Sequence, residues 1–271
     1  MNLLSNKNRS FINVIGIPII VSSIYFSFLF PFMITVMLYF CSLEYVKLAN
    51  RLGAKINSFF LVSLNAIIFI NLLYGFIDFL SILTIIFVLL FANEILFSNK
   101  ADPINCAYYF IGIFWIGYAL SGCLYQIRSL EHGVFFTFML FLGIWMCDTF
   151  AYLFGSKFGK RKILEQMSPN KTYVGSFAGL IGSLIVLSIF HYSNYYYSIN
   201  IDINLFDLCA LTIILGVFGQ IGDFSESLFK RKAGIKDTST VLMGHGGFLD
   251  RFDSISFAAP LFYLYIEYFI I

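Results

Sequence analysis

The chain has 271 residues, of which 59% are hydrophobic and only 12% charged, with a mean hydropathy of +0.85 and a formal net charge of +2. A composition this oily excludes an ordinary soluble domain and predicts an all-α, polytopic integral membrane protein, since a segment in lipid must satisfy its own backbone polar groups. So small a net charge points to no partner; where the charges lie is what matters.

Apolar runs of about twenty residues, the length that crosses the hydrocarbon core, predict nine spans. Their approximate limits are 12–29, 31–48, 57–73, 76–93, 105–124, 133–154, 173–191, 205–228 and 254–270. Lys7 and Arg9 precede the first run, which continues past Phe30 without a small-residue cleavage site, so an uncleaved first span is expected. Little more than Pro31 separates the first two spans, and Glu44 stands near the end of the second. No soluble domain, low-complexity linker or internal repeat intervenes, and residues 1–271 are expected to form one membrane domain. Cys41, Cys106, Cys123, Cys147 and Cys209 are scattered in or beside apolar runs with no CxxC or Cys/His spacing. They read as small apolar filler rather than a zinc site or disulfide framework. His132 and His191 fall near the far surface, and Glu94 and Glu267 near span ends, where local pairing or snorkelling accounts for them.

Counted on alternate sides of nine spans, sixteen Lys and Arg residues lie on the amino-terminal side, with Arg128 alone opposite. By the positive-inside tendency that side is cytoplasmic, and both of the polar stretches that interrupt the oily pattern fall on it.

The first is Asp148 to Gly179. Asp148 lies deep in span six, a costly place for a carboxylate unless it meets water, a cation or a polar interior. Tyr152 follows four residues later on the same helical face, and Gly155 near the span's end. Lys160 and Lys162 come next, then Ser168-Pro169-Asn170-Lys171-Thr172, where the Ser-Pro pair predicts a helix start that aims Lys171 and Thr172 at an anion.

The second is Gly222 to Asp253, which holds five acidic residues, five basic residues and one histidine between two apolar runs. Asp223, Glu226 and Ser227 share a helical face near the end of span eight. The chemistry such a stretch suits is phosphate chemistry on a membrane-embedded substrate, with carboxylates for a divalent metal and Lys/Arg plus glycine backbone for phosphoryl oxygens. Asp223 and Asp250 are the expected Mg²⁺ ligands, with Asp237 and Asp253 behind them; Asp253 could equally cap span nine. Lys236 and Arg251 are the expected triphosphate contacts, whereas Lys230, Arg231 and Lys232 could equally be membrane anchors. Around Gly244-His245-Gly246-Gly247 the glycines permit close backbone approach to a phosphate, and His245 could donate to it.

The positions Ser227, Lys230, Arg231, Lys236, Asp237, His245, Gly246, Gly247, Asp250, Arg251 and Asp253 together resemble the signature of the phosphatidate cytidylyltransferases. Asp148-x-x-Ala151-Tyr152, Gly159-Lys160 and Ser168-Pro169-x-Lys171-Thr172 resemble a second element of the same family. The chain departs from the pattern at Met243, where proline is usual, at Val174, where an acid is common, and at Ser156-Lys157, in place of an arginine site. Before the second element the likeness is confined to hydropathy and Glu44.

The resemblance implies Mg²⁺-dependent transfer of a cytidylyl group from CTP to phosphatidic acid, giving CDP-diacylglycerol and pyrophosphate. It implies catalytic roles for Asp223, Asp250, Lys236, His245 and Arg251. Substrate contacts would come from Asp148, Tyr152, Lys160, Ser168, Lys171, Thr172, Ser227, Lys230, Arg231, Gly246 and Gly247. Mg²⁺ would be held by Asp223, Asp250 and Asp237, with room for a second cation. The lipid bilayer of the plasma (inner) membrane is the expected setting, with no nucleic acid as partner and a homodimer open. A CTP-dependent polyprenol kinase or an ether-lipid cytidylyltransferase would use the same residue types. A cation-coupled transporter using Asp148, Asp223 and Glu226 would need mid-span acids and repeated halves, and no repeat is evident.

Overall fold

The computed structural model describes residues 3–98, 101–197, 199, 201–242 and 246–271, with 3–13 as backbone only. Among the described residues there are nine helices and no strand longer than a single bridge. They are α1 Leu3–Tyr25, α2 Leu29–Arg51, α3 Ser58–Tyr74, α4 Phe79–Phe97, α5 Pro103–Ser129, α6 Gly133–Phe158, α7 Tyr173–Tyr196, α8 Leu205–Lys232 and α9 Leu249–Phe269. Each expected span coincides with one of them. Six (α2, α4, α5, α6, α7 and α8) are long and apolar enough to cross a membrane, while α3 is shorter and α9 carries more charge. The chain is a multi-pass membrane protein, and side chains such as Phe59, Leu80 and Phe97 stand largely exposed as lipid-facing groups would.

Helix starts are set by short polar side chains that satisfy the first orphan amides. Asn57, Asp78 and Asp102 accept from Phe60, Ser81 and Ile104 at 3.1, 2.9 and 2.9 Å. Asn204 and Asp207 form a reciprocal capping box at α8. The break between α1 and α2 falls at residues 26–28 rather than at Pro31, which lies in the first turn of α2, where a missing N–H costs nothing.

Two compact units make up the chain, one from residues 1–125 with 232–251 and the other from 126–231 with 252–271. In the first, α5 widens into a π-helix over Ile113–Gly122, a stretch that packs against α3. A Cβ on Gly117 would meet Asn65 Oδ1 at 2.5 Å, so only glycine admits that buried amide, whose Nδ2 donates to Ser42 Oγ at 2.9 Å. In the second unit α6 and α7 run closely together. Gly155 and Gly175 face each other at their crossing, where a Cβ on one would lie 3.1 Å from the Cα of the other. A shorter π-helical stretch, Ile214–Phe218, interrupts α8.

Candidate active site

In the second unit the loop between α6 and α7 is folded back on itself. Ile163 N–H donates to Lys171 O and Tyr173 N–H to Arg161 O, each at 3.2 Å, around a bridge between Lys162 and Thr172. Helix α7 therefore starts at Tyr173, with Thr172 Oγ1 accepting from Gly175 N at 3.1 Å. Ser168 and Pro169 lie in a turn instead, closed by Lys171 N–H to Ser168 O at 3.1 Å, so that pair does not open the helix, which begins at 173, the limit expected for the span. The turn satisfies Ser168 and Lys171 locally and leaves Thr172, not Ser168, to cap.

The closed loop carries Lys171 to α8, where its ammonium forms an ion pair with Asp223 Oδ2 and sits 4.6 Å from the centre of the Phe224 ring. Both members are about a quarter exposed. Ser227 Oγ, one turn on, donates to Asp223 Oδ1 at a long 3.4 Å, the pairing that their four-residue spacing predicts. Asp253 is buried, and its nearest charges include those of Asp223, Asp148 and Lys230. Asp223 of α8 and Asp148 of α6 thus both act on Asp253 of α9, and Lys171 is the cation seated on Asp223.

Lys230 and Arg231 are engaged within the protein. Lys230 Nζ donates to buried Glu226 Oε2 at 2.5 Å, and Arg231 Nε donates to Met167 O at 3.1 Å. Tyr152 and Lys160 are exposed, and Ser168 is half-buried.

In the first unit the signature loop is held by a residue given no role from sequence. Glu44 is 2% exposed near the end of α2 and accepts four hydrogen bonds from that loop. Ser239 Oγ and Phe248 N reach Oε1 at 2.6 and 3.0 Å, while Thr238 Oγ1 and Leu249 N reach Oε2 at 2.9 Å each. Four donors offset the cost of burying the carboxylate. Phe40 stacks on Phe248 beside it, ring centres 4.7 Å apart. The sequence signal for this anchor was a lone glutamate among apolar residues of a span, which is costly unless partnered.

Asp250 completes the clasp. Its Oδ2 accepts from Thr238 N at 3.0 Å, Thr238 Oγ1 at 2.8 Å and Gly247 N at 2.6 Å. The single Thr238 hydroxyl proton is shared between Glu44 and Asp250. Gly246 has φ +78°, and a Cβ there would lie 2.6 Å from Asp250 Oδ2; a Cβ on Gly247 would collide with the Glu44 carboxylate and the Thr238 hydroxyl. With these amides already satisfied, α9 begins at Leu249, five residues before the expected limit. Asp253 is therefore inside the helix rather than its cap, and its Oδ1 accepts from Ser254 N at 2.6 Å. Lys236, Asp237 and Arg251 are exposed. His245 lies outside the described residues, as do Gly244 and Met243.

Among the described residues no group of three or more His, Cys, Asp or Glu side chains is close enough to cage a metal. A Mg²⁺ ion needs only one or two carboxylates, completing its octahedron with water and phosphate oxygens. Asp223, already drawing a cation onto Oδ2, fits that requirement.

Fold and site together define a multi-pass helical membrane protein with polar, charge-rich clusters in loops and helix ends. Residues 7–269 match the model of the Cytidylyltransferase family, and the chain belongs to that family. It is 38% identical over 181 residues to a phosphatidate cytidylyltransferase of Staphylococcus haemolyticus (strain JCSC1435), and 40% identical over 184 residues to one of Staphylococcus saprophyticus subsp. saprophyticus. Each match covers 67% of this chain and 66% of the relative, just under two thirds of the relative's length. A Staphylococcus epidermidis protein of the same name is 36% identical over 167 residues, 62% of this chain and 61% of its own.

Proposed function

We propose that the protein transfers a cytidylyl group from CTP to phosphatidic acid, forming CDP-diacylglycerol and releasing pyrophosphate. The observation that carries this reading is the ion pair between Lys171 and Asp223, family-type residues from two distant stretches of sequence. Family membership and the names of the relatives support the same chemistry.

In the reaction an oxygen of the phosphatidate phosphate forms a bond to the α-phosphorus of CTP as the bond to the β-phosphate oxygen breaks. A phosphate monoester is largely ionised at neutral pH, so no strong general base is required; the obstacle is bringing two polyanions together. A Mg²⁺ ion held by carboxylates of the site would supply positive charge to offset this repulsion. Its proposed ligands are Asp223 and Asp250, with Asp237 in reserve; support for Asp250 and Asp237 comes from the motif alone. Lys171, released from Asp223, becomes available to a phosphate oxygen. Lys236 and Arg251 offset charge on the departing pyrophosphate, and the glycine turn at Gly246-Gly247 brings backbone close to it. The polar clusters face the cytoplasm in this reading, where CTP is available, and the acyl chains stay in the bilayer.

The deciding assay uses purified protein in detergent with labelled CTP and phosphatidic acid. Liponucleotide plus pyrophosphate is expected with Mg²⁺ and none after its chelation. A phosphorylated alcohol plus CDP would instead identify a polyprenol kinase, and no CTP turnover on any lipid would overturn the reading. Lys232→Ala, at the exposed end of α8, is expected to leave turnover within about twofold, because an exposed charge contributes little.

A further inference from the structure

Beside the Glu44 clasp, wholly within the first unit, lies a concavity of about 470 Å³ lined by Lys47, Arg51 and residues 235–241. Its cations come from two directions. Lys47 and Arg51 stand one and two turns beyond Glu44 on the same face of α2, and Lys236 comes from the signature loop. Among the described residues none of the three makes an ion pair, and Asp237 is the one carboxylate in the lining. Unneutralised positive charge converging on one hollow raises the local concentration of anions. The volume lies in the range of small-molecule sites, and the hydroxyls of Thr238, Ser239 and Thr240 add further polar groups to its wall.

The wall is also fixed. Thr238 and Ser239 are two of the four donors bound by buried Glu44, so the helix that supplies Lys47 and Arg51 also holds the strip of loop next to Lys236. A membrane-anchoring role would explain two cations at the end of α2, but not a loop tied down beside them.

We propose that this hollow is a polyphosphate subsite, in which Lys47 and Arg51 join Lys236 to bind the β- and γ-phosphates of the nucleotide and then the pyrophosphate product. The assignment deepens the cytidylyltransfer reading and rests on it for the identity of the anion. It adds to the site two residues of α2, outside both motif stretches.

The test measures pyrophosphate in two ways on the purified full-length protein: as a product inhibitor of liponucleotide formation, and by direct calorimetric binding without turnover. Lys47→Gln and Arg51→Gln should each weaken pyrophosphate about tenfold in both measurements. They should raise KM for CTP in parallel and leave KM for phosphatidic acid unchanged. The charge-retaining variants Lys47→Arg and Arg51→Lys should recover most of the affinity, which a purely topological or folding defect would not allow. Unchanged pyrophosphate affinity in the double Gln variant overturns the subsite. So does a selective rise in KM for phosphatidic acid, which would make the hollow a lipid-headgroup site. If the wild type forms no liponucleotide yet binds pyrophosphate in a Lys47- and Arg51-dependent way, the subsite stands and the cytidylyltransfer reading falls.

Discussion

Asp223→Asn is expected to lower CDP-diacylglycerol formation by about a thousandfold or more while the protein still inserts into membranes and purifies normally. The side chain keeps its shape but loses the charge that draws Lys171 onto Oδ2. Removing one preorganised electrostatic group from a reaction that develops charge costs about 10² to 10³ in rate, and losing a metal ligand adds to that. Stability should change little, because both members of the pair are about a quarter exposed and water screens them. Initial rates over a Mg²⁺ titration measure the effect, and turnover near the wild-type level at saturating Mg²⁺ would remove Asp223 from the metal site.

Gly247→Ala carries the second large effect, through a different cause. The added methyl would enter the space of the Glu44 carboxylate and the Thr238 hydroxyl, both buried and both committed to hydrogen bonds. Neither partner is the loose end of a flexible chain, so the loop must move and some of Glu44's four donors must leave it. A buried carboxylate that loses donors destabilises its surroundings by about 1–3 kcal/mol per group left unsatisfied. The expected result is loss of nearly all activity together with faster tryptic cleavage at Lys236, while α-helical content is unchanged. Normal turnover with wild-type protease resistance would show that the clasp is not what orders the loop.

Much of the architecture was legible because apolar runs of bilayer length have few alternatives, and Asp223–Ser227 was readable from helical spacing alone. What could not be read is what joins residues far apart in the chain. Lys171 and Asp223 are 52 positions apart, and Glu44 meets partners 194 to 205 positions away. Spacing rules carry no information at that range. The start of α9 lies five residues ahead of its expected limit for the same reason: amides that local sequence leaves unpaired are satisfied by Glu44 from another helix. At α7 the helix begins at 173, the expected limit of that span, and only the part given to Ser-Pro fails: the turn around Ser168 takes up that pair and leaves Thr172 to cap. Lys230 and Arg231 fit the motif as phosphate contacts, yet each engages a partner inside its own unit.

The wide-bore stretches of α5 and α8 bear on how sequences of this family should be lined up. Such a turn takes up about one residue more than an α-turn, so the flanking segments are out of phase with any single helical wheel. A one-residue gap within 113–122 or 214–218 would let the helix tighten while its two ends keep their faces, whereas the same gap in α2 would rotate Glu44 away from its donors.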